Sequence, residues 1–207
     1  MITIIDYGAG NLGSVVSAFE HLGAPVKVAT APEELRWATK LVLPGVGAYG
    51  HAMANIRGRG FEAAIREKVD DEGVPLLGIC VGMQVLSDAG EEGRESRGLG
   101  YVGGEVRRFR FDEDWEKRLK IPHVGFNTVR FPRESRLMRG LGEAADFYFT
   151  HSYRMTGVDP DAVAGVCSHG ESFTVAVERG HVCGTQFHVE KSQTNGLKVL
   201  RNFIEFF

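Results

Sequence analysis

The sequence predicts an α/β fold: a mostly parallel central sheet with helices on both faces, and extra antiparallel strands in the C-terminal half. Three observations predict it. Up to about residue 86, short apolar runs alternate with segments of helical period, the rhythm of βαβ units. Glycine-rich turns follow the first, third and fourth apolar runs, at the strand ends where parallel sheets bind ligands. From residue 102 to 187 the pattern becomes a series of short strand-like runs separated by turns, with few helical segments, as in antiparallel sheet.

Taken in order, residues 1–5 read as the first strand and 6–11 (D-Y-G-A-G-N) as a turn, with Asn11 placed to cap the next helix. Leu12, Val15, Val16, Phe19 and Leu22 give that helix one apolar face, and Gly23 marks its C-cap. Strands are expected over 26–29 and 40–43, the latter ending in P-G-V-G-A-Y-G at 44–50. Helical patterns around 52–56 and 61–69 lead to a fourth strand over 74–79, a continuous apolar run of the kind that parallel sheets bury. Val81, Val85 and Leu86 then recur on a helical rhythm, and residues 87–100, polar and rich in Gly and Glu, read as a surface loop. Further strands are expected over 102–111, 124–131, 146–150, 163–167, 172–177 and 182–187. A closing helix over 193–207 carries Leu197, Leu200, Phe203 and Ile204 on one face. No linker, repeat or low-complexity segment interrupts the pattern, so residues 1–207 read as a single domain.

Composition narrows the function classes. The chain of 207 residues is 43% hydrophobic and 25% charged, which is ordinary for a globular domain with a sizeable core. A formal charge of -3 gives no reason to expect nucleic acid or an anionic membrane as partner. No apolar run approaches the ~18 residues of a membrane span, and residues 1–7 (M-I-T-I-I-D-Y) are too short and acidic for a secretory leader. The three cysteines Cys80, Cys167 and Cys183 have no framework spacing, which suits free thiols in a reducing cytoplasm.

The stretch V-P-L-L-G-I-C-V-G-M-Q-V-L at 74–86 carries the chemistry. Cys80 falls between a strand and a helix, with Gly78 and Gly82 two residues away on either side. This is the nucleophile elbow written G-x-C-x-G instead of G-x-S-x-G. A helix N-terminus favours a thiolate over a thiol, and the amide of Val81 would point toward a developing oxyanion. Cysteines are more often buried structural residues; the strand–Gly-x-Cys-x-Gly–helix context reverses that balance here.

A nucleophile needs a base, and His188 with Glu190 supplies the pattern. In extended backbone residues i and i+2 face the same side, so a carboxylate there could fix the imidazole tautomer while the other ring nitrogen faces the thiol. His123 and His151 also lie in short apolar contexts and are its competitors. The glycine-rich turn at 44–47 would supply the second amide of an oxyanion hole. It lacks the G-x-x-x-x-G-K-[ST] pattern of a phosphate loop.

With these residues in place, G-I-C-V-G-M-Q at 78–84 and Q-F-H-V-E-K-S at 186–192 resemble the class I (triad-type) glutamine amidotransferases, which hydrolyse glutamine to glutamate and ammonia. D-Y-G-A-G-N-L at 6–12, P-G-V-G-A-Y-G at 44–50, P-H-V-G-F-N at 122–127 and F-T-H-S-Y at 149–153 are similar to the branch of that family serving imidazole glycerol phosphate synthases. The resemblance covers essentially the whole chain and implies a flavodoxin-like glutamine amidotransferase fold. It implies a catalytic triad of Cys80, His188 and Glu190 working through a thioester. The oxyanion hole would be formed by Val81 and by Val46 or Gly47. Glutamine would be held by Gly45, Gln84, Glu92 and the segment His151, Ser152 and Tyr153. Asn11, Phe126, Tyr148 and Lys191 would lie at the interface with a (β/α)8-barrel cyclase subunit. The resemblance implies that the two form a heterodimer. Ammonia would pass through a channel to that partner, which makes imidazole glycerol phosphate and a carboxamide ribonucleotide in histidine biosynthesis. No cofactor and no metal are implied. Two positions depart from the family pattern: Phe126 stands where tryptophan is usual, and Val189 where proline is usual. The alternatives are a glutaminase serving another ammonia-transferring synthase, such as a sugar-modifying paralogue, a non-catalytic binding subunit on the same fold, and a stand-alone cysteine peptidase or hydrolase.

Overall fold

A computed structural model describes residues 1–111 and 119–207. The first half is a βα alternation: β1 (Ile2–Ile5), α1 (Leu12–His21), β2 (Val26–Ala29), β3 (Lys40–Gly45), α2 (Tyr49–Gly58), α3 (Phe61–Arg66), β4 (Leu76–Cys80) and the single-turn α4 (Val81–Gln84). Strands β1 and β4 are buried along their whole length, which is why they read as unbroken apolar runs. Parallel pairing gives the order β2-β1-β3-β4, with β13 (Val182–Thr185) added in parallel beside β4. The chain steps one way from β1 to β2 and the other way from β3 to β4. Right-handed crossovers therefore send α1 and the α2–α3 pair to opposite faces. α1 packs against the closing helix α5 (Gln193–Phe206), and α2 against α3. No helix among the described residues is long and apolar enough to cross a membrane.

The second half is antiparallel, as expected from its pattern. β12 (Glu171–Arg179) pairs antiparallel with β13 and with β10 (Tyr153–Thr156), which pairs in turn with β7 (Glu105–Arg108). β11 (Val163–His169) joins β12 to β8 (His123–Arg130), and β8 joins β9 (Ala144–His151). β10 has no counterpart among the sequence-predicted strands; its four residues are too few to show a period. The expected loop over 87–100 contains two further short strands, β5 (Ala89–Gly90) and β6 (Ser96–Arg97). Two-residue ladders leave no alternation to read. Tyr49 packs against β5 and against the residue that follows β6: a Cβ at Gly90 would lie 2.7 Å from its ring and one at Gly98 2.4 Å from its hydroxyl.

Three local details differ from expectation. β3 continues through Pro44 and Gly45 rather than ending at 43, pairing Gly45 with Cys80. The Leu41 amide bonds toward β4, to Pro75. Two residues make one repeat, so the nitrogen of Pro44 points the other way, toward β1, whose pairing with β3 has already stopped at Val42. The missing proline N–H therefore costs no ladder bond. Asn11 does occupy the N-cap of α1, but its side chain donates to Ser14 Oγ at 3.1 Å instead of accepting from the backbone. Gly23 lies one residue beyond the C-cap, Leu22, with φ +73, the left-handed position where glycine ends helices.

The tightest packing in the sheet lies under Cys80. A Cβ at Gly82 would sit 1.7 Å from the Leu43 carbonyl oxygen, and one at Gly78 would sit 2.5 Å from the Gly82 carbonyl oxygen. Gly58, at the end of α2, has no such neighbour within 4 Å. Gly82→Ala is expected to lose more than about 3 kcal/mol of stability. Gly58→Ala is expected to gain about 0.5–1 kcal/mol. Thermal unfolding of the two variants checks both signs, and equal stabilities would refute the packing account.

Candidate active site

Cys80 closes β4 with φ 54 and ψ -112. Among the described residues only Gln193 is another non-glycine with positive φ. Such a conformation persists only where the surroundings impose it. Here β3 and β13 grip β4 on both sides, and Gly45, Gly78 and Gly82 let α4 turn back onto β3. This is the strained elbow that the sequence pattern predicts. The helix after it is shorter than predicted, four residues rather than the 81–86 rhythm, because residues 85–87 continue as turns. One turn of helix has a small dipole. The main positive charge available to Cys80 comes instead from His188.

His188 follows β13, buried at 3% exposure. Its main-chain N–H donates to the Tyr148 carbonyl of β9 at 3.0 Å, and its carbonyl accepts from Ser192 Oγ at 2.6 Å. Its Nδ1 meets Glu190 Oε1 at 2.7 Å. The pairing is as predicted but its cause differs. Residues Val189–Lys191 form a 3-10 turn, not a strand, and the turn folds the carboxylate back onto the ring. Burial works against the imidazolium, but hydrogen bonding and charge from Cys80 and Glu190 outweigh it, and the His188 pKa rises to about 10. The other ring nitrogen is left for the sulfur side, so the charged His188 ring stands between Cys80 and Glu190.

The two competing histidines are tied up. The Tyr153 carbonyl can only accept, so His151 Nδ1 carries a proton and donates to it at 2.8 Å. His151 Nε2 is then an acceptor, and it takes the proton of His123 Nδ1 at 3.0 Å. His123 Nε2 in turn accepts from Asn127 Nδ2 at 3.1 Å. Each ring holds one proton, and a second would set donor against donor. Burial pushes the His123 pKa down to about 3 and the His151 pKa down to about 4. Neither is free to serve Cys80.

A cleft of about 430 Å³ opens in front of the elbow. It is lined by Cys80, His188 and Val81, by Val46 and Gly47 of the turn after β3, by Gln84 and Glu92, and by His151, Ser152 and Tyr153. Gly47 turns at φ +87. The Glu92 carboxylate accepts from the Tyr49 amide at 3.3 Å, and burial raises its pKa against that bond and the charge of Arg108. Gln84 is 2% exposed. Its amide nitrogen donates to the Tyr153 carbonyl at 3.1 Å and to Gln186 Oε1 at 3.0 Å, while its own Oε1 is buried without a partner.

One expected site residue falls elsewhere. Gly45 does not line this cleft; it lies in β3 beneath the elbow, where a Cβ would meet the Tyr7 hydroxyl at 2.5 Å and the Gly82 amide nitrogen at 2.9 Å. Its role is close packing, because β3 runs two residues further than its sequence suggests. Asn11, Phe126, Tyr148 and Lys191 stand outside the cleft. Phe126 is 52% exposed on β8 and meets Tyr148 of β9 edge-on at 5.7 Å, with Lys191 Nζ 5.8 Å from the Tyr148 ring. Sequence reasoning missed Ala48, Pro122 and Thr150 in the lining, and Gln186, whose Nε2 lies 3.7 Å from Cys80 Sγ. Pro122 lies within a motif already singled out. Gln186 is two residues before His188, a spacing that could have flagged it.

The sequence profile described as "Glutamine amidotransferase class-I" matches residues 3–206. The imidazole glycerol phosphate synthase subunit HisH of Moorella thermoacetica is 48% identical, over 99% of this chain and 94% of its own. Subunit HisH 1 of Campylobacter jejuni is 44% identical, over 99% of both chains. Among solved structures, a glutamine amidotransferase superposes with TM-score 0.75 at 19% identity, covering 99% of this chain and 97% of that one. The structure of PurLQS from Thermotoga maritima superposes at 0.71 and 18% identity, over 99% and 97%. These two likenesses concern the fold.

The histidines set opposite pH limbs. His188 is raised above its usual 6.5, so its contribution to stability is complete below about pH 6.5 and is lost as pH climbs toward 10. His123 and His151 are lowered, so theirs is complete above about pH 6.5 and is lost as pH falls toward 4 and 3. Denaturant unfolding across pH is expected to show Glu190→Gln flattening the alkaline limb and His123→Phe flattening the acid limb. Unchanged limbs in both variants would contradict the assignment.

Proposed function

This chain belongs to the class-I glutamine amidotransferase family, and from that premise we propose that it is the glutaminase subunit of an imidazole glycerol phosphate synthase, working through Cys80, His188 and Glu190. The observation that carries the reading is the buried Cys80–His188–Glu190 constellation at the mouth of a cleft suited to a small amino acid. The Cys80 thiolate attacks the carboxamide carbon of L-glutamine. Oxyanion charge develops toward the amide of Val81 and an amide of Val46 or Gly47. His188, already an imidazolium, gives its proton to the departing nitrogen, so ammonia leaves and a thioester remains. Neutral His188 then takes a proton from water as the hydroxide portion attacks the thioester. Collapse expels the thiolate, releases glutamate and restores the ion pair. Glu190 holds the ring throughout.

Donor counting supports the substrate side. Both protons on Gln84 Nε2 are committed within the protein, so its buried Oε1 can only accept. The donors glutamine offers are its ammonium and its amide N–H. The Glu92 carboxylate in the cleft lining suits the ammonium, and the backbone of 151–153 suits the α-carboxylate.

We further infer a heterodimer with a (β/α)8-barrel cyclase subunit that consumes the ammonia in histidine biosynthesis, with residues 1–207 as one domain acting in the cytoplasm. Val46, Val124 and Phe126 are exposed apolar residues, and Val46 also lines the cleft. With Tyr148 and Lys191 they form a face suited to a protein partner that covers the reacting atoms. Asn11 extends that face in this reading. Ammonia made without an acceptor is wasted, so the isolated chain is expected to turn over slowly.

Glutamate release from glutamine tests the whole reading: the chain alone, with a cyclase barrel, and with the barrel plus its nucleotide ligand. A large rise in the last mixture, abolished by Cys80→Ala, is expected. Activity indifferent to the barrel would keep the glutaminase and discard the partner, leaving another ammonia-transferring synthase. No activity in any mixture would favour a binding subunit. Phe126→Ala is expected to weaken barrel binding about tenfold or more while leaving alkylation of Cys80 unchanged; unaltered affinity would move the interface elsewhere.

A further inference from the structure

Gln186 is fully buried, with its Nε2 3.7 Å from Cys80 Sγ. We infer that Gln186 is a positioning residue for the nucleophile, its NH2 group held on the sulfur by a short hydrogen-bond relay that starts at the Tyr153 carbonyl and runs through Gln84.

The direction follows from donor and acceptor chemistry alone. A side-chain amide can face a neighbour with either end, so its orientation is settled by its partners. Asn127 Nδ2 donates to the Ser168 carbonyl, and Asn127 Oδ1 accepts from the Thr128 amide, so its NH2 end is set twice. That NH2 meets His123 Nε2, which must accept; His123 then donates through Nδ1 to His151, and His151 donates through Nδ1 to the Tyr153 carbonyl. The same carbonyl takes a second proton, from Gln84 at 3.1 Å. The nitrogen of Gln84 that makes this bond also faces Gln186, at 3.0 Å. Gln186 must therefore present its oxygen to Gln84, and its NH2 to Cys80. Asn127, His123 and His151 thus donate in sequence into the Tyr153 carbonyl from one side, while Gln84 donates into it from the other and sets Gln186 with one permitted sense.

An N–H donor on the sulfur stabilises thiolate over thiol, because the bond strengthens when the acceptor is charged. It also limits where the sulfur points when the elbow is empty. Gln84 carries the relay's last bend and lines the cleft. The group proposed to receive glutamine is thereby the group that aims Gln186. The inference rests on the glutaminase reading only for its effect on turnover; the effect on the sulfur stands on the geometry.

The test is the pH dependence of Cys80 alkylation by iodoacetamide in the full chain, followed at the Cys80 peptide by mass spectrometry. Gln186→Met keeps the length and removes the donor. Its pH of half-maximal alkylation is expected to lie about one to two units above wild type, the range for a hydrogen bond to a charged group. In the complex with the cyclase barrel, kcat should fall about tenfold or more with little change in KM, because the donor acts on the nucleophile and not on bound glutamine. A wild-type alkylation profile in folded Gln186→Met would overturn the inference. Should that variant not fold, the wild-type chain still decides. The Gln186 side-chain amide resonances are expected to shift in NMR through the same pH midpoint as alkylation, and flat resonances there would overturn it too. Loss of turnover in wild type with the alkylation profile as described would count against the glutaminase reading and leave the relay standing.

Discussion

The site depends on one close approach between two stretches of backbone. The Leu43 carbonyl of β3 comes so near Gly82 that a Cβ there would lie 1.7 Å from it. Only glycine allows α4 to fold down onto the sheet at that point. The approach forces Cys80, two residues earlier, to turn from strand to helix within one residue, at φ 54. That conformation costs of order 1–3 kcal/mol for a residue with a side chain. The cost is sustained because β4 is paired on both sides and wholly buried, so the elbow has no slack to relax into. Gly45 and Gly78 serve the same approach, which is why Gly45 packs beneath the site and does not line it.

Burial then sets the electrostatics. A lone imidazolium at 3% exposure would be unstable by several kcal/mol. His188 keeps its proton because Cys80 and Glu190 lie against it, and its main chain is fastened at both ends. The Tyr148 carbonyl accepts its N–H, and the Ser192 hydroxyl bonds its carbonyl and accepts from the Tyr148 amide. His123 and His151 show the opposite outcome under similar burial. With neutral donors and acceptors around them and no carboxylate in the chain of bonds, both stay uncharged. The same residue type is therefore acid in one place and scaffold in another, according to its partners.

The β8–β9 ribbon lies beside the reacting atoms, and β9 bonds His188 directly. Phe126 and Tyr148 present aromatic rings to the outside, and their neighbours in sequence or main chain lead inward. Asn127 starts the hydrogen bonds that end on the Tyr153 carbonyl, the same oxygen that fixes Gln84, and Tyr148 holds the backbone of His188. A partner seated on Phe126 and Tyr148 would thus rest on the same ribbon that fastens the backbone of His188. The Phe126 and Val189 departures from the family pattern leave this arrangement intact. Val189 is buried at 1% within the turn that carries Glu190, and Phe126 keeps an exposed ring against Tyr148.

The parallel half and the elbow were legible in the residues because both are local. Buried parallel strands need continuous apolar runs, and a strained turn needs glycine at set distances from the nucleophile. The order Cys80…His188-x-Glu190 was legible for a different reason: side chains able to act as nucleophile, base and orienting carboxylate are few. The true extent of β3, the strand Tyr153–Thr156 and the short ladders at 89–90 and 96–97 were not legible, because their boundaries are set by neighbouring strands and not by their own composition. The reason Glu190 meets His188 also came only from the fold: a 3-10 turn, not strand alternation. The sequence by itself determined which side chains could do chemistry and the class of sheet that carries them. The tertiary structure alone decided which histidine is charged, which way each amide faces and that Gln186 touches the sulfur, since protonation and hydrogen-bond direction depend on partners more than a hundred residues apart in the chain.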